Sequence, residues 1–159
     1  MGKHFEFCVL DTFAQYWVNL FSHGAAAHLA WKAKTATAMC NYSLTRWWSN
    51  WEVMNLVLEY FAHVEPFVRE NDHLAPPTRA HLMEIFNSPA DSKDLELELA
   101  AFVDGENHFV STIYYVEGDG SLVFSCYQRL ATVYNAAAVA VYTNMEGVAC
   151  RQAIGNLPV

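Results

Sequence analysis

The sequence is poor in charge, in paired cysteines and in long apolar runs, and each shortage excludes a class of protein. Charged residues make up 16% of the 159 residues, whereas about 25% is usual. Four cysteines, at 8, 40, 126 and 150, form no C-x-x-C pair, so we expect free, packed thiols. The apolar runs, such as AAAVAVY at 136–142, are far shorter than the roughly 20 residues that cross a bilayer. We therefore predict a protein with no disulfide framework and no contact with a membrane.

Motifs for catalysis and cofactor binding are also missing. The sequence has no Walker-type loop, no G-x-G-x-x-G, no H-E-x-x-H and no G-x-S-x-G. Seven histidines are present, but no two are three or four residues apart, as metal ligands on one helix face would be. We predict no metal or other cofactor and favour a protein that is not an enzyme. The first residues, MGKHFEFCVLD, do not resemble a signal peptide, so a cytoplasmic location is expected.

Charge is distributed unevenly along the chain. Residues 1–51 contain four Lys and Arg against two Asp and Glu, whereas 52–159 contain five against fifteen. Proteins that bind nucleic acid gather basic residues to neutralise phosphates. The acidic rear part therefore predicts no direct binding of nucleic acid, and a basic protein is the partner that its charge would attract.

Apolar and aromatic residues are abundant. The hydrophobic fraction is 53%, with ten Phe, eight Tyr and five Trp. A chain of this length is expected to form one domain, over residues 1–159. So much apolar surface also favours an interface between subunits, and we predict a homo-oligomer, preferably a dimer.

Helical periodicity dominates the first half of the chain. Apolar residues at spacings of three and four predict helices after Thr12, over 25–40, over about 50–65 and over 76–89. Ser49 and Glu52 match a capping box at the start of the third helix, and Trp48 is placed to act as its hydrophobic staple. Pro66 is expected to end or kink that helix.

From about residue 90 the pattern changes to alternation. DLELELAAFVDG, HFVSTIYYVEG and SLVFSCYQRLA are typical of half-buried strands, and Asp104-Gly105 and Asp119-Gly120 are typical of hairpin turns. Residues 132–159 favour neither a strand nor a helix clearly. The prediction is thus an α+β fold, with about four N-terminal helices on a C-terminal antiparallel β-meander of three to four strands. A sheet that is apolar on both faces is a second reason to expect a dimer.

Two functional hypotheses follow. The first is a small acidic interaction module that binds itself and a basic protein. Its candidate docking face consists of Asp91, Asp94, Glu96, Glu98, Asp104 and Glu106. The second is a small-molecule-binding protein or small enzyme with an aromatic pocket between helices and sheet. Its candidate lining consists of Trp47, Glu59, Tyr60, His63, Tyr114 and Tyr127.

Overall fold

The computed structural model describes residues 8–22, 24–43, 49–72, 74–117, 131–132 and 134–135. Six helices contain most of these residues, and none of the residues described lies in a strand. The helices are α1 (Cys8–Ser22), α2 (Ala25–Thr35), α3 (Ser49–Glu59), α4 (Phe61–Glu70), α5 (Pro76–Asn87) and α6 (Pro89–Glu117). The predicted α+β fold with a C-terminal antiparallel meander is therefore wrong.

The main correction concerns α6, which occupies the segment predicted to form the first two strands. Ser88 caps its start, because the Ser88 hydroxyl accepts a hydrogen bond from the Asp91 amide at 3.3 Å. Pro89 takes the first helical position, where its missing N–H costs nothing. Leucine and glutamate are strong helix formers, and the buried residues of α6 recur at spacings of four and seven. They include Leu95, Leu99, Val103 and Val110.

The first predicted hairpin turn is wrong as well. Gly105 lies inside α6 and does not have a positive φ, so the glycine there supplies no turn. A Cβ built on Gly105 would meet nothing within 4 Å. The Asp119-Gly120 pair and nearly all of the predicted strand at 121–131 lie outside the described residues, as does nearly all of the ambiguous segment 132–159; residue 131, the last of that strand, is helical.

The start of α1 depends on a distant residue. The helix predicted after Thr12 begins earlier, at Cys8, so Asp11 and Thr12, residue types that favour a helix cap, both lie within it. The Glu98 carboxylate of α6 instead accepts hydrogen bonds from the Val9 and Leu10 amides, at 3.1 and 2.7 Å. The first amides of a helix have no partner inside it, and a negative group there also complements the helix dipole. Glu98 therefore joins α6 to the start of α1.

The third and fourth predicted helices begin where expected, at Ser49 and Pro76, but the third is divided. α3 ends at Glu59, Tyr60 leaves the helical conformation, and α4 then continues through Pro66. A proline cannot donate to the carbonyl four residues earlier, and its ring collides with that carbonyl. The interruption lies at Tyr60, six residues before Pro66 and outside the reach of that clash, whereas we predicted an end or a kink at Pro66 itself. The Trp48 staple lies outside the described residues.

α2 is shorter than predicted, because it ends at Thr35 and not near residue 40. Ala36 adopts a left-handed conformation, with φ of 61°, and its amide donates to the Lys32 carbonyl at 2.9 Å. The Thr35 hydroxyl bonds the Trp31 carbonyl at 3.0 Å and accepts from the Thr37 amide at 3.2 Å. Threonine hydroxyls that bond nearby backbone in this way compete with helix continuation.

Aromatic rings form the core of the helices up to α5. The Trp17 ring contacts four others, with centroids 5.1 to 5.8 Å away. These four rings belong to Phe13, Phe21, Trp31 and Phe67. Trp17 is fully buried, and each such ring pair stabilises the fold by about 0.5–1.5 kcal/mol beyond the burial of its area. The core thus unites α1, α2 and α4, and Phe86 of α5 joins it at 6.3 Å from Phe13.

Two compact units make up the chain, Met1–Leu99 and Ala100–Val159. The boundary falls within α6, and the single domain over 1–159 stays a prediction. A dimer also stays a prediction, although the two-faced sheet that favoured it is not present in residues 94–117. No helix among the described residues has both the length and the apolar character that crossing a membrane requires.

Candidate functional site

A cavity of about 270 Å³ lies in the unit Met1–Leu99, beside the end of α1. This volume is equivalent to about nine water molecules at roughly 30 Å³ each. It lies just below the range of about 300–1,000 Å³ that is typical of ligand pockets. The residues that line it come from α1, α2, α3 and the segment between α2 and α3. The cavity therefore suits a compact molecule and is the candidate site.

The inner wall of the cavity is apolar. Trp17 and Phe21 of α1, Met39 of the connecting segment and Val53 of α3 line it, and all four are at least 92% buried. Trp17 and Phe21 are held by the aromatic core behind them, where Phe21 stacks on Phe67 at 5.9 Å. Trp17 is fully buried, so only small parts of Phe21, Met39 and Val53 are accessible from the cavity.

Trp17 contributes its ring and not its N–H to this wall. Its Nε1 and that of Trp31 have less than 1 Å² of accessible surface, and neither has a hydrogen-bond partner among the described residues. The two indoles meet edge to face, with centroids 5.5 Å apart, an arrangement in which N–H can meet a π face. A molecule in the cavity cannot reach this N–H without movement of the core.

The outer part of the cavity carries polar groups. His28 Nε2 lies 3.1 Å from the Phe21 carbonyl oxygen, so the tautomer protonated at Nε2 donates to it. The Ser22 hydroxyl donates to the Val18 carbonyl at 2.7 Å, which leaves its oxygen able to accept. Asn41 and Tyr42 complete this side, and Tyr42 is 41% exposed. Polar groups at the mouth and apolar groups inside are the usual division of a small-molecule pocket.

Cys40 lies between these two parts and is half-buried. Burial raises the pKa of its thiol, the nearby charge of Glu52 raises it further, and a backbone hydrogen bond lowers it in part. The nucleophile is the thiolate and not the thiol. Cys40 is therefore a protonated, weakly reactive lining residue at neutral pH, and not an activated nucleophile.

Two hydroxyl contacts hold the segment that walls the cavity. The Ser49 hydroxyl donates to the Ser43 carbonyl at 2.8 Å and accepts from the Ser43 amide at 3.1 Å. At the other end, the hydroxyls of Thr37 and Tyr60 are 2.8 Å apart. Residues 39–42 line the cavity. Hydrogen bonds on either side of them connect this segment to Ser49 of α3 and to Tyr60, directly after α3.

The predicted pocket residues do not line this cavity where the structure describes them. Glu59 and His63 are both exposed, and the break at Tyr60 separates the helices that carry them. Tyr60 contacts His63, with ring centroids 6.3 Å apart, but its hydroxyl bonds Thr37. Tyr114 belongs to the unit Ala100–Val159 and is 43% exposed. Trp47 and Tyr127 lie outside the described residues.

The predicted acidic residues are all on α6, but the helix places them on more than one face. Glu96 and Glu98 share a face in a strand, whereas a helix turns about 100° per residue and places them about 200° apart. Glu96 pairs with Lys93 at 2.6 Å, and Glu98 bonds the amides of α1. Burial raises the pKa of the Glu106 carboxyl. Asp91 and Asp94 share a face of α6 with Glu98, at spacings of three and four, and Asp104 lies on another face. A docking role for the set stays a prediction.

Sequence periodicity did not identify the residues that form the cavity. Trp17 and Phe21 lie on the apolar face of the helix predicted after Thr12, and both are buried. Met39 and Cys40 were assigned to a helix that ends earlier. The sequence offered one local signal, the two threonines at 35 and 37. They mark the end of α2, so the residues that follow are not helical and can line the cavity.

Known proteins add no further information about this site. Neither protein-family models, nor curated proteins, nor solved structures give a match to this chain. The geometry of the cavity is therefore the basis on which a function can be proposed.

Proposed function

We propose that the unit Met1–Leu99 binds a small molecule in the cavity beside the end of α1. The observation that carries the proposal is the cavity itself, with a buried aromatic wall and polar groups at its mouth. This is a different pocket from the one predicted between helices and sheet. Non-covalent binding is proposed, because the one described thiol in the cavity is held in its protonated form.

The support is structural and local. Trp17 and Phe21 are packed against the aromatic core behind the cavity. The connecting segment is held by the hydrogen bonds of Ser49 and Tyr60. A pocket that is already formed loses less free energy to ordering when it binds.

The test is a thermal-shift screen of small aromatic compounds, followed by calorimetry. A ligand at about 100 times its dissociation constant stabilises the protein by about 2.7 kcal/mol. Each kcal/mol raises Tm by roughly 2–4 °C in a chain of this size, so a true ligand should raise it by roughly 5–10 °C.

A matched pair of variants locates the binding. Ser22 lines the cavity and is exposed, so Ser22→Phe should fill the mouth without disturbing the core. Asn19 is exposed on the same helix but does not line the cavity, so Asn19→Phe is the control. We expect Ser22→Phe to abolish binding and Asn19→Phe to retain it. Equal binding by both variants, or no compound that binds the wild type, would contradict the proposal.

A further inference from the structure

We infer that the cavity selects small neutral molecules whose polar group donates a hydrogen bond, over molecules of the same shape whose polar group only accepts one. The inference rests on the proposed function and names the class of ligand. Its basis is two hydrogen bonds in the cavity wall. They use the N–H of His28 and the O–H of Ser22, and they leave acceptor atoms on both side chains.

His28 of α2 supplies the first acceptor. Its Nε2 lies 3.1 Å from the Phe21 carbonyl oxygen, and a carbonyl oxygen can only accept, so the hydrogen of this bond is on Nε2. In neutral imidazole the other nitrogen then has a lone pair and no hydrogen. Nδ1 has no hydrogen-bond partner among the residues that the structure describes. His28 can therefore accept a hydrogen bond from a ligand but has no second N–H to donate.

Ser22 supplies the second acceptor, at the end of α1. Its hydroxyl has one hydrogen, which is donated to the Val18 carbonyl at 2.7 Å, and the oxygen keeps its lone pairs. Ser22 is exposed and lines the cavity. The carbonyl that His28 bonds belongs to the peptide between Phe21 and Ser22. The two acceptor side chains are therefore neighbours at the end of α1.

The other polar side chains of the lining do not oppose this preference. The Asn41 amide and the Tyr42 hydroxyl each contain both a donor and an acceptor, so they can serve either kind of ligand. The Cys40 thiol is only a weak donor. A ligand acceptor beside His28 and Ser22 therefore meets lone pairs on both, whereas a ligand N–H or O–H finds a partner there.

Three bicyclic compounds test the inference, because they have the same shape and differ at one ring position. Indole has an N–H there and donates, benzofuran has an oxygen and only accepts, and indene has a methylene group and does neither. All three are neutral, and each is a single small ring system that suits a cavity of about 270 Å³. Protein-observed NMR titrations of the full chain at neutral pH measure each dissociation constant. We expect indole to bind roughly twofold to tenfold more tightly than the other two, the effect of one neutral hydrogen bond.

The outcomes separate this inference from the proposed function. If benzofuran or indene binds as tightly as indole, and Ser22→Phe abolishes that binding, the cavity binds small molecules but does not select donors. The inference is then wrong and the proposed function stands. If none of the three compounds binds, or if Ser22→Phe leaves their binding unchanged, both are contradicted.

Variants of the two acceptor residues test the physical cause. Glutamine and lysine can each donate to the Phe21 carbonyl in place of His28, but only glutamine also keeps an acceptor. In a Ser22→Ala background, His28→Lys should abolish the preference for indole over benzofuran, and His28→Gln should retain it. Asn19→Ala is the control on α1, because Asn19 is exposed and does not line the cavity. A preference that survives His28→Lys, or that is lost equally in His28→Gln, would overturn the explanation.

Discussion

Replacing Glu98 by alanine tests whether a long-range carboxylate sets the start of α1. In the wild type, Glu98 accepts two hydrogen bonds from the Val9 and Leu10 amides, at 3.1 and 2.7 Å. A hydrogen bond to a charged group contributes about 1.5–3 kcal/mol, but these bonds are only partly buried. Loss of a side-chain cap costs about 0.5–2 kcal/mol, and loss of the helix-dipole interaction costs about 0.3–1 kcal/mol. We therefore expect Glu98→Ala to lower the free energy of unfolding by about 1–3 kcal/mol.

Two further variants separate charge from hydrogen bonding. Glu98→Gln keeps an acceptor oxygen and loses the charge, so it should cost about half as much. Glu96→Ala is the control, because it makes the same change two residues away on α6 and removes a contact with Lys93 at 2.6 Å. That contact is between residues three apart on one helix, where a pair contributes about 0–1 kcal/mol.

The assay is urea unfolding followed by circular dichroism. A lower midpoint with an unchanged slope reports a loss of stability without a change in the surface exposed on unfolding. Amide exchange should also quicken at the first turn of α1 in Glu98→Ala. If Glu98→Ala and Glu96→Ala shift the midpoint equally, Glu98 does not cap α1 and the reasoning fails.

Three other predictions follow from single side chains. Ser49→Ala should lower the free energy of unfolding by about 1–3 kcal/mol, because the Ser43 N–H and carbonyl lose this buried partner. The midpoint of urea unfolding measures the loss, and a midpoint equal to that of the wild type would refute the prediction. Cys40 should react with iodoacetamide more slowly in the native than in the unfolded protein at neutral pH, since its raised pKa reduces the thiolate fraction. Peptide mapping measures the rate, which Glu52→Gln should increase. Glu106 has a pKa above its ordinary 4.5 in the folded state, so folding takes up protons there and stability falls as pH rises through that raised value. The Glu106→Gln variant should therefore be more stable than the wild type at neutral pH and lose that advantage below about pH 4. Urea unfolding at several pH values measures the difference in unfolding free energy. A difference that does not change with pH would show that the raised pKa of Glu106 is not its cause.

The helices that the sequence predicted well are those with local start signals. α5 begins with Pro76 and Pro77, and α3 begins with Ser49. Both residue types are favoured at the start of a helix. Their inner faces, such as Leu82 and Phe86 of α5, are buried as periodicity indicated. Local chemistry is enough to place such helices, because the residue types at the start, the period and the buried face agree.

The strand prediction failed because alternation was given more weight than helix propensity. Leu95, Leu97 and Leu99 alternate with glutamate, but Leu95 and Leu99 also have the spacing of one helical turn. Ser88-Pro89-Ala90-Asp91 contains a cap, a first-turn proline and a first-turn acid, all before the alternating run. These start signals were present in the sequence and favoured a helix.

The cavity could not be predicted because its walls come from separate elements. Ser22, Cys40 and Val53 are 13 to 31 residues apart in sequence. They come together only because α2 ends at Thr35 and because hydrogen bonds hold the segment between α2 and α3 in place. The predicted pocket assumed a sheet opposite the helices, and without that sheet its residues had no common surface. Sequence periodicity identifies which faces are buried but not where the packing leaves space.

The acidic residues of α6 show why a charge count does not define a binding face. In a strand, Glu96 and Glu98 would point to the same side, and reversing both to lysine would test one docking surface. In the helix they have different partners: Lys93 for Glu96, and the first amides of α1 for Glu98. Glu98→Lys would place a positive charge at the positive end of α1 and destabilise the fold, whereas Glu96→Lys would mainly exchange an attraction for a repulsion near the surface. Slower association with a basic partner after the double reversal would therefore not identify a docking face. Only Glu96→Lys, measured with a folded protein and at several salt concentrations, separates partner binding from stability.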